Sequence, residues 1–199
     1  MRKVFGYEVA VVDLTAGDGS LIAKFDMKYR YGVEIDPDQT MKGNYKAITG
    51  DMQKVYPLFR ELGFKADTIA INPPFGLAWT DTEGKRVNST LLCYRYAIEL
   101  LASFGQGVMI CGWERYLREV AQMPENEYIY AVIHCEDMFD NADIPVALCF
   151  FTKHVVEKPA MSWFKSDRVG LPEMDGKVID AREKLIKAYI SSYTAENAI

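Results

Sequence analysis

The sequence predicts an α/β fold: a doubly wound, mostly parallel sheet of seven strands with an antiparallel last strand. Three observations carry this. Short β-branched or apolar runs alternate with helical segments, which is the pattern of buried parallel strands wound by right-handed crossovers. The last two apolar runs are separated only by the acidic stretch Glu136 to Pro145, too short for a crossover helix, so they pair antiparallel. A chain of 199 residues suits one domain with a sizeable core.

The elements follow in order. Glu8 to Leu14 reads as the first strand, and Thr15-Ala16-Gly17-Asp18-Gly19-Ser20 as a tight glycine turn before a short helix, Leu21 to Phe25. Tyr31 to Ile35 is the second strand. Asp36-Pro37 opens a helix, with Asp as N-cap and Pro at the first helical position. Tyr45 to Thr49 is the third strand; Gly50-Asp51 ends it, and a helix runs to Leu62 with Pro57 in its first turn. Thr68 to Ile71 is the fourth strand. Residues 76–88 read as a loop, long for a compact α/β domain and for that reason a functional candidate. A helix from Ser89 to Ser103, a strand Gly107 to Cys111, a helix Trp113 to Gln122 and the strands Tyr128 to His134 and Val146 to Thr152 complete the sheet. Beyond Lys153 the β pattern is not continued. The expected division is a main domain over 1–155 and a C-terminal extension over 156–199, with Gly170 to Gly176 as loop and Lys177 to Tyr193 as helix.

A composition of 49% hydrophobic and 26% charged residues is that of a soluble globular protein. No apolar run reaches membrane-spanning length, and Met1 to Glu8 lacks the apolar core and cleavage site of a signal peptide, so no membrane association and a cytoplasmic location are expected. Cys93, Cys111, Cys135 and Cys149 are widely spaced within apolar patterns and read as reduced core thiols. His134 and His154 read as strand-end or surface residues, and no metal site is expected. Net charge is −5, and residues 76–155, with 6 basic and 11 acidic side chains, carry the whole imbalance. A basic face for unaided duplex binding is absent from these totals.

The chemistry collects at strand ends, where doubly wound sheets bind ligands. The fourth strand closes in Asn72-Pro73-Pro74-Phe75. Two prolines fix φ and remove two N–H donors, leaving a stiff turn whose carbonyls accept. The Asn72 side chain adds an acceptor and Phe75 a flat face, a combination suited to gripping a planar –NH2. Gly17 and Gly19 allow close backbone approach to a ligand after the first strand. Glu34, at the end of the second strand, suits ribose hydroxyls, because Asp36 already caps the next helix. Asp51 can accept from an adenine amino group or cap its helix; Met52 beside it can pack on the ring.

The set Asp13-x-x-x-Gly17-x-Gly19, Val33-Glu34-Ile35-Asp36-Pro37, Gly50-Asp51 and Asn72-Pro73-Pro74-Phe75, over residues 8–153, resembles the class I S-adenosylmethionine-dependent methyltransferases. More narrowly, it is similar to their amino-methyltransferase branch, which includes the adenine-N6 DNA enzymes. The resemblance implies a Rossmann-like sheet with S-adenosyl-L-methionine as cofactor, held by Asp13, Thr15, Ala16, Gly17, Gly19, Glu34, Ile35, Asp51 and Met52. It implies Asn72, Pro73, Pro74 and Phe75 as the catalytic set, with DNA the favoured acceptor and RNA adenine or protein glutamine the alternatives. The family's DNA enzymes usually carry a cofactor-contacting element before the first strand and a target-recognition domain. Few residues flank the motifs here, so recognition is expected from a partner subunit, from the rest of a longer protein, or from the 76–88 loop through Trp79, Lys85 and Arg86. The acidic residues between Glu114 and Asp143 are expected on a solvated face away from the site.

Overall fold

The computed structural model describes residues 10–136, 144–153 and 160–165. The expected loop Gly170 to Gly176, the helix Lys177 to Tyr193, His154 and the first two residues of the first strand lie outside the described residues.

The strands are β1 (Val11–Asp13), β2 (Arg30–Glu34), β3 (Lys46–Thr49), β4 (Ala66–Ile71), β5 (Ala78–Thr80), β6 (Arg86–Asn88), β7 (Leu101–Gly112), β8 (Ile129–Glu136), β9 (Val146–Thr152) and β10 (Ala160–Lys165). The helices are α1 (Pro37–Lys42), α2 (Met52–Glu61), α3 (Ser89–Leu100) and α4 (Trp113–Arg118), joined by short 3-10 turns at Ser20–Ile22, Met27–Tyr29, Val120–Gln122 and Pro124–Tyr128. The main sheet runs β10-β8-β9-β7-β4-β1-β2-β3. β1 pairs in parallel with both β2 and β4, so strand order reverses there, and β9 runs antiparallel to β7 and β8. All seven expected strands are present, with one reversed. β10 adds an eighth, parallel to β8, where no strand was expected. It covers backbone groups of β8 that would otherwise form an open sheet edge.

Side-chain alternation sorts the sheet into two faces. Val12, Ile69, Ile71 and Met109 pack under α2 and α3 with Val55, Tyr56, Phe59, Leu92, Tyr96 and Leu100. Tyr56 and Tyr96 stack between the two helices with ring centroids 3.6 Å apart. Val11 and Ala70 face the other way, against Ile22 and Tyr45.

Four local expectations need correction. Pro57 lies inside α2, past its first turn; the buried face of Met52, Val55, Tyr56 and Phe59 holds the helix across the missing hydrogen bond. α3 ends at Leu100, short of Ser103, because Leu101 is drawn fully into the core and starts β7. Lys65 Nζ donates to Glu99 O at 2.6 Å and Lys153 Nζ to Leu101 O at 2.7 Å, capping this end. Residues 76–88 form a hairpin, β5 paired with β6, in place of a loop. Its turn is closed by Asp81 Oδ1, which accepts from the Glu83 and Lys85 amides at 2.9 and 2.8 Å. Finally, His134 is buried within β8, its ring 4.4 Å from Trp113, and is not a surface residue. The four cysteines are buried free thiols.

Candidate active site

The carboxyl ends of β1, β2, β3 and β4 are joined by a continuous run of hydrogen bonds. Asp13 begins it. Its side chain is fully buried, and Oδ1 accepts from the Thr15 amide at 2.9 Å and from Thr15 Oγ1 at 3.5 Å. Oδ2 has no partner among the described residues. Burial raises this carboxyl to a pKa of about 7, and the nearby Glu34 and Asp18 carboxylates push the same way. Thr15 Oγ1 in turn accepts from the Asn72 amide at 3.2 Å, tying the glycine turn to the end of β4.

The turn itself needs its glycines. Gly17 has φ 52° and Gly19 φ 78°, the left-handed region where side chains are strained. A Cβ on Gly17 would meet nothing within 4 Å, so the turn borders open space on that side. Glu34 Oε2 accepts from the Gly17 amide at 2.7 Å, and Oε1 from the Asp36 amide at 2.9 Å. Glu34 therefore braces the turn and the start of α1 at once. Each oxygen keeps a second lone pair for a ligand hydroxyl. Glu34 O accepts from the Gly50 amide at 2.8 Å, which brings β3 into the rim. Asp51 is the N-cap of α2: it accepts from the Gln53 amide at 2.9 Å and holds Gln53 Nε2. Gln53 Oε1 then accepts from the Thr80 amide at 2.7 Å and docks the hairpin.

Not every expected residue joins this rim. Met52 is buried in the core under α2 and presents no face to a ligand, because it is the first residue of that helix's apolar stripe. Trp79 packs against the same core beside its cross-strand partner Val87, as a two-stranded hairpin needs a hydrophobic anchor. Lys85 and Arg86 are exposed on the hairpin. Ile35 is 67% exposed next to Glu34.

The tetrapeptide leaves β4 with Pro73 buried and Phe75 42% exposed. Phe75 borders a cavity of about 520 Å³ whose other wall is α4 and the strand ends Gly112 and Pro145. Trp113, Glu114, Arg115, Arg118 and Glu119 line it, so the first part of the acidic stretch expected to face away borders this cavity, while Asp137, Asp140 and Asp143 lie outside the described residues. The charges are paired within the helix, Arg115 with Glu119 and Arg118 with Glu114, so the wall is close to neutral.

Two further contributors are invisible in the sequence pattern. Tyr45 donates its hydroxyl to Gly17 O at 2.7 Å, and its ring fills space where a Cβ on Gly19, Gly32 or Gly43 would collide with it. The buried Ser89 donates Oγ to Pro74 O at 2.6 Å. For the cavity wall one signal existed: Trp113 directly follows a strand end.

No protein-family model and no curated protein matches the chain. Solved structures do. The EcoKI M protein of a type I restriction enzyme superposes with a TM-score of 0.58 at 18% identity, over 85% of this chain and 48% of that one. The methyltransferase subunit of a type I restriction-modification system from Streptococcus thermophilus gives 0.58 at 17%, over 92% and 48%. An S-adenosylmethionine-dependent methyltransferase from Agrobacterium tumefaciens gives 0.50 at 15%, over 74% and 56%. The chain thus has the Rossmann-like fold of class I methyltransferases. It spans about half the length of each of these three structures. Among the described residues no helix is long and apolar enough to cross a membrane.

Proposed function

We propose that the chain is the methyl-transferring domain of an S-adenosylmethionine-dependent N-methyltransferase whose acceptor is the N6 amino group of adenine in DNA. The observation that carries it is Asn72-Pro73-Pro74-Phe75 at the switch point of the sheet, its first amide bonded to the glycine turn and its aromatic ring facing a cavity. The residues present fit the cofactor: a glycine turn open on one side, a buried carboxylate oxygen without a partner, and Glu34 with spare lone pairs for ribose hydroxyls. Ile35 and Asp51 follow β2 and β3 at the same edge of the sheet.

When bound, the cofactor supplies a sulfonium methyl group that is already electrophilic. The chain's own task is to hold and aim the acceptor. Asn72 Oδ1 and the Pro73 carbonyl accept from the amino group's two N–H bonds, which draws its lone pair out of conjugation. Phe75 stacks on the base, worth about 1–3 kcal/mol, against a cost of a few kcal/mol for unstacking it from a duplex. The remaining contribution is orientation and electrostatics. The likeness to restriction-modification methyltransferase subunits favours DNA over RNA or a protein amide. Because the α4 arginines are self-paired and net charge is −5, grip on the phosphate backbone falls to the exposed Lys85 and Arg86 of the hairpin, to a partner subunit or to the rest of a longer protein.

Calorimetry with S-adenosylmethionine and transfer of tritiated methyl to DNA, RNA and protein acceptors test this reading. Asn72→Ala is expected to abolish transfer while cofactor affinity is retained. Transfer by that variant at the wild-type rate refutes the role of Asn72, and label in RNA or protein alone reassigns the acceptor.

A further inference from the structure

Pro73 and Pro74 have no N–H, so the tetrapeptide cannot be fixed by ordinary ladder donors. Asn72 N is the last backbone donor before them, and it goes to Thr15 Oγ1 at 3.2 Å. An amide can only donate, so the Thr15 hydroxyl turns its own proton to Asp13 Oδ1, 3.5 Å away. At the far end Pro74 O accepts from Ser89 Oγ at 2.6 Å. Ser89 is fully buried at the start of α3, yet it does not cap that helix: Asn88 does, accepting from the Thr90 amide at 3.0 Å. Both hydroxyls are thus committed to the tetrapeptide. Between them, the Asn72 side chain and the Pro73 carbonyl have no hydrogen bond among the described residues.

We propose that Thr15 and Ser89 are positioning residues for methyl transfer, a pair of hydroxyls that clamps both ends of the tetrapeptide and holds Asn72 Oδ1 and the Pro73 carbonyl in register with the donor side. The proposal rests on the N-methyltransferase reading above. The two clamps come from different elements. Thr15 sits in the glycine turn, so it sets the acceptor grip relative to the cofactor groove. Ser89 belongs to α3, so it sets the grip relative to the rigid core. By taking the Pro74 carbonyl, Ser89 fixes the turn on the side next to the Pro73 carbonyl, which has no hydrogen bond among the described residues. Loosening either end displaces the amino group from its line of attack, and a displacement of about 1 Å costs on the order of 10²-fold in rate.

The test uses the full chain as wild type, Thr15→Val, Thr15→Ser and Ser89→Ala. Two readouts are taken: amide exchange at Asn72 by NMR, and kcat with acceptor KM in the methyl-transfer assay. Thr15→Val is expected to speed exchange at Asn72 by roughly tenfold or more, because the amide loses its acceptor. Thr15→Val and Ser89→Ala are expected to lower kcat on the order of 10- to 10²-fold with acceptor KM little changed, and Thr15→Ser to restore it. A purely structural role would lower the thermal midpoint and the fraction of active enzyme while leaving kcat per cofactor-binding site intact. That result, an unchanged exchange rate in Thr15→Val, or wild-type kcat in Ser89→Ala overturns the clamp alone. Absence of S-adenosylmethionine binding by the wild-type chain in calorimetry overturns the methyltransferase reading itself, and with it the catalytic part of the clamp.

Discussion

Replacing Asp13 by asparagine should change how stability depends on pH. The carboxyl is fully buried, with Oδ2 unpartnered among the described residues, and burial raises its pKa from 3.8 to about 7. In the unfolded chain it ionises near its ordinary value. Below about pH 4 both states are protonated and the group has no effect. Between pH 4 and 7 the unfolded state releases its proton and the native state keeps it, so stability falls as pH rises; above about 7 the loss is complete. The gap between the two values corresponds to about 4 kcal/mol. A side-chain amide cannot ionise, so the D13N variant should gain about this much on the wild type between pH 4 and 8. Any fixed cost of burying the amide cancels in that difference. Urea denaturation of both proteins across this range measures it. Stability curves that stay parallel from pH 4 to 8 would refute the argument that burial holds Asp13 as a neutral acid in the native state.

Gly19→Ala should destabilise the fold by about 1–3 kcal/mol in urea denaturation, since φ is 78° and the new Cβ would lie 2.5 Å from the Tyr45 ring. Tyr45→Phe removes the bond to Gly17 O, and should cost about 1 kcal/mol of stability while loosening the turn, seen as weaker S-adenosylmethionine binding by calorimetry. Phe75→Ala should leave the thermal midpoint unchanged, because the ring is 42% exposed. It should reduce kcat/KM for a base acceptor by roughly 5- to 150-fold, the equivalent of one lost stack.

Much of the local geometry at the candidate site was readable from local chemistry. A strand ending in two prolines, a turn with two glycines and an Asp-Pro helix start are each dictated by backbone sterics within a few residues, and all three stand where expected. The reversed β9 followed from connection length, since Glu136 to Pro145 cannot hold a crossover. The misreadings share a cause. Residues 76–88 lack a continuous apolar run, but Trp79 and Val87 gain burial from a core built elsewhere, and that makes a hairpin of them. Met52 was assigned to a ligand by its neighbour Asp51, whereas its burial is decided by the helix face it falls on.

The residues that brace the site belong to a third kind. Gly19, Gly32 and Gly43 surround Tyr45 from three separate segments, and Ser89 reaches Pro74 from the next helix. Sequence alone determined that β4 ends in a stiff proline turn and that β1 is followed by a turn only glycines can make, because those properties reside in the residues themselves. Only the tertiary structure decided which hydroxyls bond Asn72-Pro73-Pro74-Phe75, which carboxylate oxygen is buried without a partner among the described residues, and which helix walls the cavity. Such contacts exist only once distant segments are packed together.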